Sequence, residues 1–249
     1  MPDWIIYLIL FPAGFVAGIL NVVAGGGSFL TLPVLIFLGL PPTVANGTNR
    51  VAILFQNVGA VSSFHHHRMM NWRRALSAAI PAVLGAGLGT AAAVVVGDEA
   101  FRKILAFLMV AVTLWTLLSP ISSSEGESDR SQGMKRWALV LGFFVVGVYG
   151  GFVQAGVGFL VLAVTTLAGL DLVQGNVLKV FCVLAFTVVS LSIFAWKGLV
   201  HWPLGLTLAA GNTIGGLIGA RLTVLKGHRW IRRVVTVTVI LFALRLWFS

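Results

Sequence analysis

Long apolar stretches separated by short polar clusters run the length of this 249-residue chain. They predict helices at about 4–23, 43–64, 75–96, 101–118, 137–157, 172–195, 204–225 and 231–248, most of them near the roughly 20 residues that a membrane-crossing helix needs. Two further apolar runs, about 28–40 and 159–170, are too short to cross a hydrocarbon core of about 30 Å at about 1.5 Å per residue. Each follows a glycine-rich break, Ala24-Gly25-Gly26-Gly27-Ser28 and Gln154-Ala155-Gly156-Val157-Gly158. Short helices beside such breaks are expected to be broken or re-entrant elements. One hydrophilic stretch, 119–136, holds Ser122, Ser123, Ser124, Glu125, Glu127, Asp129 and Arg130. It reads as a solvated linker between a first unit, 1–118, and a second, 137–249.

Composition narrows the class. Apolar residues make up 58% and charged residues 10%, against about 45–50% and about 25% in soluble domains. A soluble enzyme, a disordered chain and a coiled coil are excluded, and a polytopic all-α membrane protein is expected. The net charge of +10 sits mostly in loops, where it sets orientation in the bilayer and calls for no nucleic acid. The first apolar run begins with Asp3 and lacks a basic leader, so it is not expected to be a removable signal. Cys182 is expected to act as a small buried apolar residue. His65, His66 and His67 follow one another on a loop without the i, i+4 spacing of a helical metal site, and no metal is expected there. No P-loop, His-Glu-x-x-His or Gly-x-Ser-x-Gly motif occurs, and neither an enzymatic activity nor a cofactor is expected.

The two units repeat one another at a spacing of 130 residues. Phe29, Leu30 and Leu32 meet Phe159, Leu160 and Leu162; Asn46 meets Asn176; Trp72 meets Trp202; Gly85 and Gly89 meet Gly215 and Gly219. Duplicated halves are a habit of secondary transporters. The basic loop changes place between them: 65–74 carries Arg68, Arg73 and Arg74, whereas its counterpart carries only Lys197, and 226–233 carries Lys226, Arg229, Arg232 and Arg233. The positive-inside rule then favours inverted repeats, with the linker in the cytoplasm and both termini outside. Parallel repeats follow instead if the short runs dip in and return. About eight spanning helices and two short broken ones result.

Chemistry concentrates on one helix and two breaks. Asn46, Asn49, Arg50, Gln56 and Asn57 share a face about 120° wide on the helix at 43–64, and Asn176, Lys179, Thr187 and Ser190 form a similar face in the second half. A charge inside a span costs at least about 2.5–3.5 kcal/mol and normally faces a bundle interior or a wet cavity. The competing reading is that Arg50 and Lys179, within two turns of their helix starts, snorkel to headgroups. The breaks offer half-helix starts whose N–H groups favour anions, with Asn21, Ser28 and Gln154 beside them; the glycines also allow close packing alone. No Asp or Glu lies inside a predicted span. The candidate binding set is therefore cationic and donor-rich: Asn21, Gly25, Gly26, Gly27, Ser28, Asn46, Asn49, Arg50, Gln154, Gly156, Asn176 and Lys179. It points to a small anionic substrate held near the midplane of a lipid bilayer, and it leaves room for a homo-oligomer.

The run Gly14-x-x-x-Gly18, Asn21-x-x-Ala24-Gly25-Gly26-Gly27-Ser28-Phe29-Leu30-Thr31-x-Pro33, then Leu38-Gly39-Leu40-Pro41-Pro42-x-x-Ala45-Asn46-Gly47-Thr48-Asn49 resembles the TauE/SafE sulfite-exporter family. Gly150-Gly151-x-x-Gln154-Ala155-Gly156-Val157-Gly158 and Gly175-Asn176-x-x-Lys179 are similar to its second repeat. The resemblance implies a multi-pass transporter of the bacterial inner membrane that carries small anions, with sulfite and organosulfonates as the associated substrates. An anion channel and a non-transporting accessory subunit remain the alternatives.

Overall fold

The structure, a computed structural model, describes residues 3–118 and 136–247. Among them the chain is entirely helical: α1 (Asp3–Val23), α2 (Ser28–Phe37), α3 (Pro42–His66), α4 (Trp72–Ala93), α5 (Asp98–Leu118), α6 (Arg136–Phe152), α7 (Val157–Leu167), α8 (Leu172–Trp196) and α9 (Trp202–Trp247). The proposed linker at 119–136 and both termini fall almost wholly outside the described residues.

Packing is inverted relative to a soluble bundle. On α4 the small residues Ala75, Ala78, Ala82, Gly85, Ala86 and Gly89 are buried, while Leu76, Ile80, Leu84 and Leu88 form an outward stripe and Leu84 is 63% exposed. Large apolar side chains gain nothing by leaving lipid for protein, so helices associate through small residues that let backbones approach. Gly85 and Gly89 lie against the carbonyls of Phe144 and Val148 on α6, where a Cβ would overlap them. Gly211 and Gly215 of α9 do the same against Phe11 and Phe15 of α1.

The contacts come in exchanged pairs. α1 packs mainly on α9 and α6 mainly on α4, while α3 packs on α9 and α8 on α4. Each half thus lays its first long helix on the last helices of the other half. This brings the two glycine breaks together at the centre.

One expectation is corrected. Helices were expected separately at 204–225 and 231–248, joined by a basic loop; the backbone is instead one continuous helix, α9, of 46 residues. In the first half Gly97 is followed by Asp98, and α4 stops at Ala93 before α5 restarts at Asp98. The equivalent Gly227 is followed by His228, without the acidic pair Asp98-Glu99 whose charges favour the start of α5, and Lys and Arg are good helix formers. The basic segment 226–233 is therefore helical and is not a loop. Among the described residues, four helices are long and apolar enough to cross a membrane: Trp4–Val23, Trp72–Ala93, Leu172–Trp196 and Trp202–Lys226. The polar face of α3 and the 17-residue length of α6 keep those two helices below the mark. α6 ends at Phe152, short of the expected 157, because the break begins there.

Candidate functional site

The site grows from two chain reversals. After α1 the backbone turns at Gly25, with φ +91°, and re-enters as α2. After α6 it turns at Gly156, with φ +70°, and re-enters as α7. Both values lie in the left-handed region that glycine reaches without penalty. The reversals touch: a Cβ on Gly25 would overlap the Cα of Gly158, and one on Gly158 would overlap the Cα of Gly25. Beside this contact Phe29 and Phe159, repeat counterparts, stack with ring centroids 6.2 Å apart.

A small cavity opens next to the contact. Its polar wall is Asn21, Ser28, Gln56, Asn57, Gln154 and Lys179, and its apolar wall includes Ile53, Val157 and Val183. It offers about 20 Å³ to water centres, the scale of a single water. Asn21 binds the wall together: its Nδ2 donates to Gln56 Oε1 at 3.2 Å, and its Oδ1 accepts from the N–H of Ser28, the first residue of α2, at 3.2 Å. Gln154 donates to Thr187 Oγ1 at 2.6 Å, and its Oε1 is buried without a partner. Rotating that amide by half a turn would seat Oε1 on the Thr187 hydroxyl and free the NH₂. None of the lining residues is Asp or Glu, so Lys179 is the only ionisable group in the wall.

The two buried cations hold the two reversals. Lys179 Nζ donates to the carbonyls of Asn21 at 3.0 Å and Val22 at 2.7 Å, at the C-terminus of α1. Arg50 donates from Nη1 to Gly150 O at 3.1 Å and from Nη2 to Gly151 O at 2.6 Å, at the C-terminus of α6, with its guanidinium 4.9 Å from the Phe194 ring centroid. Each half therefore sends a cation to the first helix of the other half, where unpaired carbonyls carry partial negative charge. The roles then part. An ammonium has three N–H donors; two of Lys179's are engaged, and the residue lines the cavity. Arg50 does not line it.

The remaining candidates fall into the same division. Asn21, Gly25, Ser28, Gln154 and Lys179 meet at the cavity. Asn46 joins Arg50 at the end of α6, donating to Phe152 O at 2.9 Å. Asn49 ties α3 to α2, accepting from Thr31 Oγ1 at 2.7 Å and donating to Ser28 Oγ at 3.2 Å. Asn176 donates to Thr223 Oγ1 on α9 at 3.3 Å. Gly26 is buried in the first break, Gly27 caps α2 against the Ala17 carbonyl, and Gly156 caps α7. Gln56, Asn57 and Gly158 line the cavity but were not in the candidate set. Gln56 and Asn57 sit on the polar face already noted for this helix, and that spacing was the signal that could have found them. His65 and His66 close α3, with the His65 ring against Trp72.

The chain matches the family described as "Sulfite exporter TauE/SafE" over residues 10–246. It belongs to the TauE/SafE family. Among similar proteins, one from Sinorhizobium sp named "Probable membrane transporter protein ORF9" is 30% identical over 239 residues, covering 95% of this chain and 90% of the relative. A "Probable membrane transporter protein" from Haemophilus influenzae is 32% identical over 233 residues, covering 92% and 89%. "Probable membrane transporter protein YfcA" from Escherichia coli K12 is 28% identical over 230 residues, covering 92% and 85%. No solved structure matches the chain. This TauE/SafE member is thus a membrane protein of a transporter family, with the lipid-facing leucines and glycine-mediated packing that such a protein requires.

Proposed function

We propose that this protein is a secondary transporter of a small oxyanion, with sulfite or an organosulfur oxyanion as the favoured substrate, bound at the cavity between the two glycine reversals. One observation carries the reading: a buried lysine with a spare donor faces a cavity walled by amides and a hydroxyl, with no carboxylate among its lining residues. A small oxyanion has little apolar surface, so it must be held by charge and directed donors. Lys179 supplies the charge. Asn57, Gln56 and Gln154 supply amides, and Ser28 supplies a hydroxyl. The cavity has room for about one water, so the anion enters only when the starts of α2 and α7 part from α3 and α8. The Gly25–Gly158 contact couples the two short helices, so that they part from α3 and α8 together.

Inverted repeats complete the reading. The exchanged packing of α1 on α9 and α6 on α4, and the exchanged caps from Lys179 and Arg50, support two halves related by a pseudo-two-fold axis through the site. Such an arrangement gives one site two routes of access related by that axis. The bacterial inner membrane is the proposed location.

Counterflow in proteoliposomes tests this. Vesicles loaded with unlabelled sulfite should transiently accumulate labelled sulfite above its outside concentration. A steady leak without counterflow would mean a channel, and no flux for any of sulfite, sulfate, thiosulfate or sulfonates would mean an accessory subunit.

A further inference from the structure

A second, roomier recess lies between the α3–α4 turn and the start of α8. It offers about 160 Å³ to water centres, against about 20 Å³ in the central cavity. Met70, Asn71 and Arg74 wall it on one side, and Gln174, Val177 and Leu178 on the other. Arg74 is exposed and has no carboxylate within 4 Å among the described residues. Asp171, next to the lining residue Leu170, has its Oδ1 engaged by the N–H groups of Val173 at 2.8 Å and Gln174 at 2.9 Å. Arg68 and Arg73 add positive charge to the same turn, and residues 65–74 contain no acid.

The recess and the central cavity are lined by consecutive residues of α8. Leu178 lines the recess, and the next residue, Lys179, lines the cavity. Leu178 from the recess joins Ile53 and Val183 from the cavity in one buried apolar cluster, and the partly buried Met70 packs against it.

The repeat-equivalent place is shut. Shifted by 130 residues, Leu178 corresponds to Thr48, Arg74 to Leu204 and Gln174 to Val44. There the Thr48 hydroxyl accepts from the N–H of His201 at 2.9 Å, and the Leu199 carbonyl lies so close to Gly47 that a Cβ would overlap it. Thr48 is 0% exposed. Equivalent sequence positions thus form an open recess in one half and a sealed joint in the other.

We propose that the recess beneath Arg74 is an anion vestibule: it gathers small oxyanions at the face from which this conformation is open, and the apolar side chains of Met70 and Leu178 separate it from the transport site. The inference rests on the proposed transport function but adds a binding place, a charge and a direction of opening.

Thiol modification tests it without a transported substrate. The chain's one cysteine, Cys182, is fully buried, so Leu178→Cys and Thr48→Cys can be compared over the parent's background in phosphatidylcholine nanodiscs, where both faces are accessible. The probes are the anionic 2-sulfonatoethyl and the cationic 2-(trimethylammonium)ethyl methanethiosulfonates. Leu178→Cys should react and Thr48→Cys should not. Adding Arg74→Gln should lower the anionic-to-cationic rate ratio at Leu178→Cys by about three- to tenfold, the scale of one unit charge a few ångströms away in a watery medium. Gln174→Cys, exposed in the same recess, gives the same readout if Leu178→Cys does not fold. Equal labelling of Leu178→Cys and Thr48→Cys, or an unchanged ratio, overturns the proposal. An Arg74 effect seen only with phosphatidylglycerol present would assign the charge to a lipid headgroup and also overturn it. Expected labelling alongside absent transport would sink the transport reading instead, so the two failures are distinguishable.

Discussion

Gly25 and Gly158 meet backbone to backbone at the centre of the bundle, so closely that neither has room for a methyl group. The contact joins the two reversals that carry the candidate site. Gly158→Ala should therefore reduce transport at least tenfold per inserted molecule, and Gly25→Ala should do the same with added strain from its φ of +91°. Gly97→Ala, where nothing lies within 4 Å of the added carbon, should transport normally. Uptake in vesicles, normalised to inserted protein, makes the comparison; normal transport by Gly158→Ala would separate the reversals from the mechanism.

Arg50 is expected to act on stability. Its guanidinium is fully buried on the carbonyls of Gly150 and Gly151, and hydrogen bonds to a charged group contribute about 1.5–3 kcal/mol each. Arg50→Gln should lower the thermal midpoint of the purified protein clearly while leaving anion affinity of the folded fraction within about threefold. A tenfold loss of affinity at unchanged midpoint would put Arg50 back at the anion.

The packing glycines should behave as a pair. Gly85→Ala and Gly215→Ala each push a methyl against a carbonyl of the facing helix, Phe144 and Phe15 respectively. Overpacking costs about 1–3 kcal/mol, so both variants should unfold earlier by similar amounts, with substrate affinity retained. Thermal unfolding in detergent measures this, and a large difference between the two would argue against equivalent packing in the halves.

The halves of this molecule were legible where local pattern decides structure and illegible where distance does. Both glycine breaks, both short helices and the polar face of α3 follow from spacing along the chain, and the structure has them close to the expected positions. The continuity of α9 was hidden because four basic residues look like a loop, although lysine and arginine cost a helix little. At the site, sequence could say that Arg50 and Lys179 sit inside predicted spans. It could not say that Arg50 ends on α6 and Lys179 on α1, since both partners lie about 100 residues or more away. Gln56 and Asn57 lie on the polar face that the spacing predicts, but only the fold shows that this part of the face meets the cavity.

Topology is open to a direct test at two turns within the described residues. If the repeats are inverted, the turn after α3 and the turn after α8 lie on opposite membrane faces. Cysteines at Arg68 and Lys197 should then be labelled by an impermeant reagent from opposite sides in intact cells and inverted vesicles. Labelling of both from one side would mean parallel repeats.

The central claim is that Lys179 and the amides around it bind a small oxyanion. Isothermal titration of the purified protein with sulfite, sulfate, thiosulfate and a short sulfonate, repeated on Lys179→Gln, addresses it most directly. The parent should bind at least one of these saturably, and Lys179→Gln should weaken that binding about tenfold or more, the loss expected of one charge-assisted hydrogen bond. Equal affinity in parent and Lys179→Gln, with both proteins folded, would contradict the account.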